Sequence, residues 1–258
     1  MSLLVWIIVF SLLGGVLSVL AASTLLLLPE PLRLRALPHL VSFAIGALLG
    51  AAFLALMPHA LAAPGVEFHK FGLAVLLGLL GFFLLEKLVL WRHCHTEDCE
   101  AHAPNDPHRH KAAGTLILIG DGIHNMVDGV LIAAAFLTDV HLGVVTALAV
   151  AAHEIPQEVG DFAILLHSGF SRARALLYNV LSSLTTIIGA LAAYAGLAGM
   201  QQVLPYVLSI AASSFIYIAV ADLIPGLHSR PHFRDTVQQI TLIGLGVLLI
   251  YTVHSTLH

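Results

Sequence analysis

Apolar residues in this chain gather into long unbroken runs instead of the short alternation that marks strands. A helix needs about 20 apolar residues to cross the hydrocarbon of a bilayer. Eight windows of that length carry no Lys or Arg except near an end: 3–28, 36–63, 71–90, 112–137, 140–166, 175–200, 203–225 and 236–257. Alternating stretches of about 10 residues, the pattern of an outer-membrane barrel, are absent. The pattern predicts an all-α polytopic membrane protein, an eight-transmembrane-helix bundle, with 1–258 as one transmembrane domain. The first window has small residues at Ala21 and Ala22, as a signal peptide would. It has no basic leader, however, and its apolar run exceeds the roughly 7–15 residues of a signal core, so it reads as a retained span.

Composition agrees and removes other classes. Of 258 residues, 59% are hydrophobic and 10% charged, with a mean hydropathy of +0.94. A soluble domain needs about 25% charged residues to face water, so a soluble Rossmann or barrel enzyme is excluded. A net charge of −4 offers no electrostatic footprint for nucleic acid. Two cysteines, Cys94 and Cys99, fall in one loop and make no disulfide framework. No GxxxxGK[ST] motif is present, so ATP coupling within the chain is not expected.

The eleven Lys and Arg residues set an orientation. Arg33 and Arg35 lie between windows one and two, Lys87, Arg92, Arg109 and Lys111 at or between three and four, Arg172 and Arg174 between five and six, and Arg230 and Arg234 between seven and eight. Only Lys70 falls on the other side. The positive-inside rule then places both termini outside and the odd-numbered loops in the cytoplasm. The longest of these, 93–111, is rich in His and includes His93, His95 and His102. It reads either as an idle solvated loop or as a mobile segment for weak metal capture.

Polar residues are concentrated where lipid is expected. The fourth window contains GDGIHNMVDG, with Asp121, His124, Asn125 and Asp128, and the fifth contains HEIPQEVGD, with His153, Glu154, Gln157, Glu158 and Asp161. Each ionised residue at mid-bilayer costs about 2.5–3.5 kcal/mol, so these carboxylates must face each other, water or a cation. Residues i and i+4 share a helical face, which pairs His124 with Asp128, His153 with Gln157, and Glu154 with Glu158. At about 100° per residue, the five polar positions of the fifth window fall in a sector of roughly 140°. Two facing helices would bring imidazoles, carboxylates and an amide oxygen to one point, a donor set suited to Zn²⁺ or a similar transition metal. Pro156 removes one backbone donor and loosens its helix, and Gly120, Gly122, Gly129 and Gly160 permit close approach or bending. His59, at the outer end of the second window, is either an interfacial anchor or an entrance ligand. Asp222, near the inner end of the seventh, is either an interfacial acid or an exit ligand, and Asp121 and Asp161 would lie below the centre on the same route.

These motifs resemble the ZIP family of divalent metal transporters over the whole chain. HEIPQEVGD is close to the HExPHExGD signature of one large branch of that family. The resemblance implies a Zn²⁺ carrier working into the cytoplasm by alternating access, with the bundle that holds spans four and five shifting against its surroundings. It implies a main metal position formed by His124, Asp128, His153 and Gln157, with Asn125 and Glu154 lining an adjoining one. Two departures stand out. Gln157 replaces the usual second His, and LSSLTTIIGA in the sixth window offers hydroxyls such as that of Thr186 where other branches have a Glu. No prosthetic group is expected. Cd²⁺, Fe²⁺ and Mn²⁺ stay open as cargo because the donors mix nitrogen and oxygen, and a homodimer stays open too. The short chain suggests a bacterial inner membrane, with an organellar membrane left open. Two other classes fit some of the same residues. One is an intramembrane zinc hydrolase, since HEIPQ is close to HExxH with Glu154 as general base, although Gln157 and Pro156 disrupt that motif. The other is a metal sensor or scaffold that binds without transport.

Overall fold

A computed structural model describes residues 2–91, 107–228 and 233–257. Among them run eight helical spans: α1 Leu3–Leu25, α2 Glu30–Ala62, α3 Phe68–Trp91, α4 Pro107–Thr138, α5 Val140–His167, α6 Arg172–Leu197, α7 Leu204–Leu227 and α8 Phe233–Leu257. Seven of them are long and apolar enough to cross a membrane, and the exception is α5. That helix is 28 residues long, so its departure is chemical: His153, Glu154, Gln157, Glu158 and Asp161 dilute its apolar character. The chain is a multi-pass membrane protein.

Helices overrun the apolar windows furthest at two places. Helix α2 starts at Glu30, with a proline in its first turn, and carries Arg33 and Arg35 on helical backbone. Helix α4 starts at Pro107, so residues 107–111 are helix and not loop. A proline is well placed in a first turn because the N–H it lacks has no helical partner there. The apolar window marks where lipid-compatible sequence begins, and backbone hydrogen bonding can start earlier. His93, His95 and His102 lie outside the described residues.

Several spans are bent. Helix α1 breaks at Gly15 and α6 at Leu184. These breaks meet: a Cβ on Gly15 would lie 2.7 Å from the Ser183 carbonyl oxygen and 2.9 Å from Thr186 Oγ1. Helices α2 and α7 each contain a π-helical turn, Ala51–Leu56 and Ile218–Leu223. Each turn precedes a proline, Pro58 or Pro225, whose missing N–H disturbs the α-helical ladder. Pro156 has no such turn before it, and α5 runs through it as α-helix without the backbone donor that proline lacks.

Lipid is as apolar as leucine, so helices in a membrane associate through close backbone approach and polar contacts. The two densest pairings, α4 with α6 and α2 with α8, are both built this way. A Cβ on Gly129 of α4 would sit 1.8 Å from the Thr186 carbonyl oxygen, and one on Gly189 of α6 would sit 1.9 Å from that of Met126. Reciprocally, Gly46 of α2 lies against Ile243 and Gly246 of α8 against Phe43. Helix α5 occupies the middle, touching α1, α2, α4, α6 and α8, and α3 packs on α7 at the edge. The α4–α5 connection is a single residue, Asp139, whose carboxylate accepts hydrogen bonds from the amides of His141 at 2.8 Å and Leu142 at 3.1 Å. Burial opposes ionisation of Asp139, but these two amides prevail and hold its carboxyl below the usual range.

Candidate metal centre

The tight α4–α5 hairpin makes its two helices antiparallel neighbours, so polar residues at matching heights face one another. His124 and Asp128 project from α4 and His153 and Glu154 from α5; Asp128, His153 and Glu154 are buried, and His124 is partly exposed. The two imidazole Nε2 atoms are 3.2 Å apart. His153 Nε2 is 3.2 Å from Asp128 Oδ2 and 3.8 Å from Glu154 Oε1. His124 Nε2 is 3.4 Å from Glu154 Oε1 and 3.7 Å from Asp128 Oδ2. Ligands about 2.0–2.1 Å from a tetrahedral zinc stand about 3.3 Å from one another, so these separations have the scale of a coordination sphere.

The chemistry of the four groups agrees. His153 Nδ1 lies 3.1 Å from the carbonyl oxygen of Ala149. A carbonyl only accepts, so Nδ1 carries the hydrogen and, in the neutral ring, Nε2 turns a lone pair toward the cluster. Both oxygens of Asp128 and both of Glu154 are buried with no hydrogen-bond partner among the described residues. Buried unpartnered carboxylates are costly, and lone pairs directed at one another repel. A divalent cation at their common point would convert that repulsion into coordination.

Asn125 is hydrogen-bonded at both ends of its amide. Its Nδ2 donates to Asp121 Oδ1 at 2.8 Å, and its Oδ1 accepts from Thr186 Oγ1 at 2.8 Å. Asp121 also accepts from Ser182, so a buried polar chain ties α4 to α6. Thr185 adds to it by donating to the Gly122 carbonyl at 2.6 Å. Ser182 and Thr185 were not singled out in the sequence, because hydroxyl residues in a span carry no mark of which neighbour they will meet.

Beside the cluster lies a cavity of about 440 Å³. Asp121, His124, Gln157 and Asp161 line one wall; Glu86 of α3 and Tyr217 and Asp222 of α7 line the other. Tyr217 donates a hydrogen bond to Glu86. The sequence reading passed over Glu86, and its signal was a carboxylate inside the third apolar window, masked by its neighbour Lys87. Glu158 is buried beside Glu154 and Asp121. His59 stands apart, its ring edge-on to His254 of α8 with centroids 5.3 Å apart.

Residues 91–254 match the ZIP Zinc transporter family. The chain is 34% identical to "Zinc transporter ZIP13" of Pongo abelii over 83% of its own length and 66% of the relative's. Against the protein of the same name from Gallus gallus it is 31% identical, over 84% of this chain and 73% of the relative. A third relative, "Zinc transporter zipt-7.2" of Caenorhabditis elegans, is 31% identical over 83% of this chain and 57% of its own length. The chain thus spans about two thirds of the first relative and less of the third.

Proposed function

Since this chain belongs to the ZIP zinc transporter family, we propose that it carries Zn²⁺ across the membrane into the cytoplasm through a site formed by His124, Asp128, His153 and Glu154, with Gln157 at its edge. Membership of a family of transporters removes the zinc-hydrolase alternative. The observation that carries the site is the convergence of two imidazoles and two unpartnered carboxylates at separations of 3.2–3.8 Å. Gln157 lines the adjoining cavity with His124, where its amide oxygen serves as a weak ligand on the way out.

The way the helices associate supports alternating access. Helices α4 and α6 are locked by their glycine crossing, as are α2 and α8. The polar cavity lies between α4 and α5 on one side and α2, α3 and α7 on the other. Sliding of the group that contains α4 and α5 past its neighbours would move the ion toward Asp161, Glu86 and Asp222. The inward direction rests on the placement of ten of the eleven Lys and Arg residues on one face. Fe²⁺, Mn²⁺ and Cd²⁺ are further cargoes to be compared with Zn²⁺ in competition. The three relatives described above are animal proteins and lend a bacterial membrane no support. The homodimer is to be decided by mass measurement in nanodiscs.

Radioactive zinc uptake into proteoliposomes tests the proposal. The wild-type protein should accumulate zinc above empty vesicles, and His124→Ala and His153→Ala should bring uptake close to background with protein insertion unchanged. Absence of accumulation by the wild type would remove the transport reading. Near-normal uptake by both variants would remove the site.

A further inference from the structure

Histidines outside the central cluster gather at the Asp139 end of the α4–α5 hairpin. Helices α2, α4 and α8 all end on one side of the bundle, because each is an even-numbered span of a chain that runs up and down. His59 lies about one turn before the end of α2 and His254 about one turn before the end of α8, and Asp139 is the connection between α4 and α5. The π-helical turn that precedes His59 packs on α5, as does α8. The rings of His59 and His254 meet edge to face with centroids 5.3 Å apart, and His141 Nδ1 is 3.7 Å from Asp139 Oδ1. The two pairs also act on each other. Burial opposes ionisation of Asp139; the amides of Leu142 and His141 outweigh it, helped by positive charge on the His141 and His59 rings.

The chemistry of this group suits zinc. His59 Nδ1 is 3.0 Å from the Ala55 carbonyl oxygen, so Nδ1 carries the hydrogen and, in the neutral ring, Nε2 keeps its lone pair for a metal, as at His153. The same contact to a backbone carbonyl occurs at His39 and His167; what distinguishes His59 is the second imidazole beside it. Imidazole nitrogen and carboxylate oxygen are ordinary zinc donors. All four residues are partly exposed, and none of them lines the cavity beside the central cluster.

The glycine crossing ties α2 to α8, whereas Asp139 and His141 belong to the hairpin that moves in the transport reading above. Resting on that reading, we infer that His59, His254, His141 and Asp139 form a regulatory zinc site that bridges the α2–α8 pair and the α4–α5 hairpin at their outer ends, so that its occupation slows transport. A ligand held by both bodies binds most tightly to the conformation that brings them together, and this difference in affinity shifts the population toward that conformation. Zinc that accumulates outside thus restrains its own uptake without competing for the central cluster.

Zinc titration and zinc uptake, both with the full chain, test the site and its role separately. In nanodiscs the double variant His59→Gln, His254→Gln should bind one zinc ion fewer per chain than the wild type, while His153→Ala keeps that binding event. Wild-type uptake into proteoliposomes should rise with external zinc and then decline. His254→Gln and His141→Gln should match it at low zinc, which also certifies their fold, and should decline only at concentrations at least about tenfold higher. Equal binding by the wild type and the double variant overturns the site, as does loss of the event in His153→Ala, which would place it at the central cluster. A wild-type curve that only saturates, or a decline unchanged in both single variants, overturns the regulatory role. Lower uptake by those variants at low zinc, with insertion unchanged, would make the histidines an entrance station and overturns it too. If the wild type carries no zinc at all, the transport reading falls and the regulatory role with it, and the titration still decides the site.

Discussion

At the scale of single residues, the hydrogen bond from His153 Nδ1 to Ala149 and the unpartnered oxygens of Asp128 make specific demands. Even residues that only orient ligands are worth about 10–100-fold in metal affinity. Asp128→Asn, which keeps the shape and removes the charge, should therefore weaken Zn²⁺ binding by at least about tenfold, read by equilibrium dialysis with a competing chelator. Unchanged affinity would take Asp128 out of the site. Gln157→His should act in the other direction, replacing an amide oxygen by imidazole nitrogen, with tighter Zn²⁺ binding and slower release. Identical binding curves for Gln157→His and wild type would show that the amide does not touch the ion. The types of residue at this centre were legible in the sequence through their i, i+4 spacing. The involvement of Asn125 with Asp121 and Thr186 was not, since a side-chain amide bonds whichever partner the neighbouring helix presents.

Whole helices depend on how closely their backbones approach. At Gly129 a Cβ would lie 1.8 Å from the backbone oxygen of Thr186, with no flexible side chain to give way. Gly129→Ala should destabilise the protein by about 1–3 kcal/mol or more, in proportion to the shift forced between α4 and α6. Gly244→Ala is the control, because nothing lies within 4 Å of its Cβ and alanine raises helix propensity by up to about 1 kcal/mol. Thermal unfolding in detergent should lower the midpoint of the first variant and leave or raise that of the second; equal midpoints would contradict the close crossing. Asp139→Ala should cost about 1 kcal/mol through loss of the cap on α5. The carboxyl of Asp139 is held below its usual range in the folded state, so the ionised cap stabilises above the unfolded-state value of about 3.9 and its share is lost as pH falls through the folded one. The stability gap between wild type and Asp139→Ala should accordingly shrink on acidification, and a gap independent of pH would show that the carboxylate charge is irrelevant.

For the molecule as a whole, the hairpin of α4 and α5 supplies all four groups of the central cluster, and on the proposed function the His-rich segment is expected to be separable from transport. Deleting 94–105, which stops short of Pro107 at the start of α4, should leave zinc uptake measurable in proteoliposomes; abolished uptake by correctly inserted protein would make the segment part of the pathway. The sequence by itself determined the membrane class, the number of spans and the helices that hold the polar cluster. Hydrophobic run length is fixed by bilayer thickness, and charge inside such a run is too costly to be incidental. Helix ends escaped it, as at Glu30 and Pro107, because backbone hydrogen bonding continues beyond the apolar run. Only the tertiary structure decided that Glu86 lines the same cavity as His124, that Pro58 and Pro225 follow π-helical turns while Pro156 lies in continuous helix, and that Glu154 lies close both to His124, Asp128 and His153 and to Asp121 and Glu158. Those facts depend on the rotation and height of one helix against another, which periodicity along a single helix does not encode; close contacts such as Gly129 against Thr186 set them.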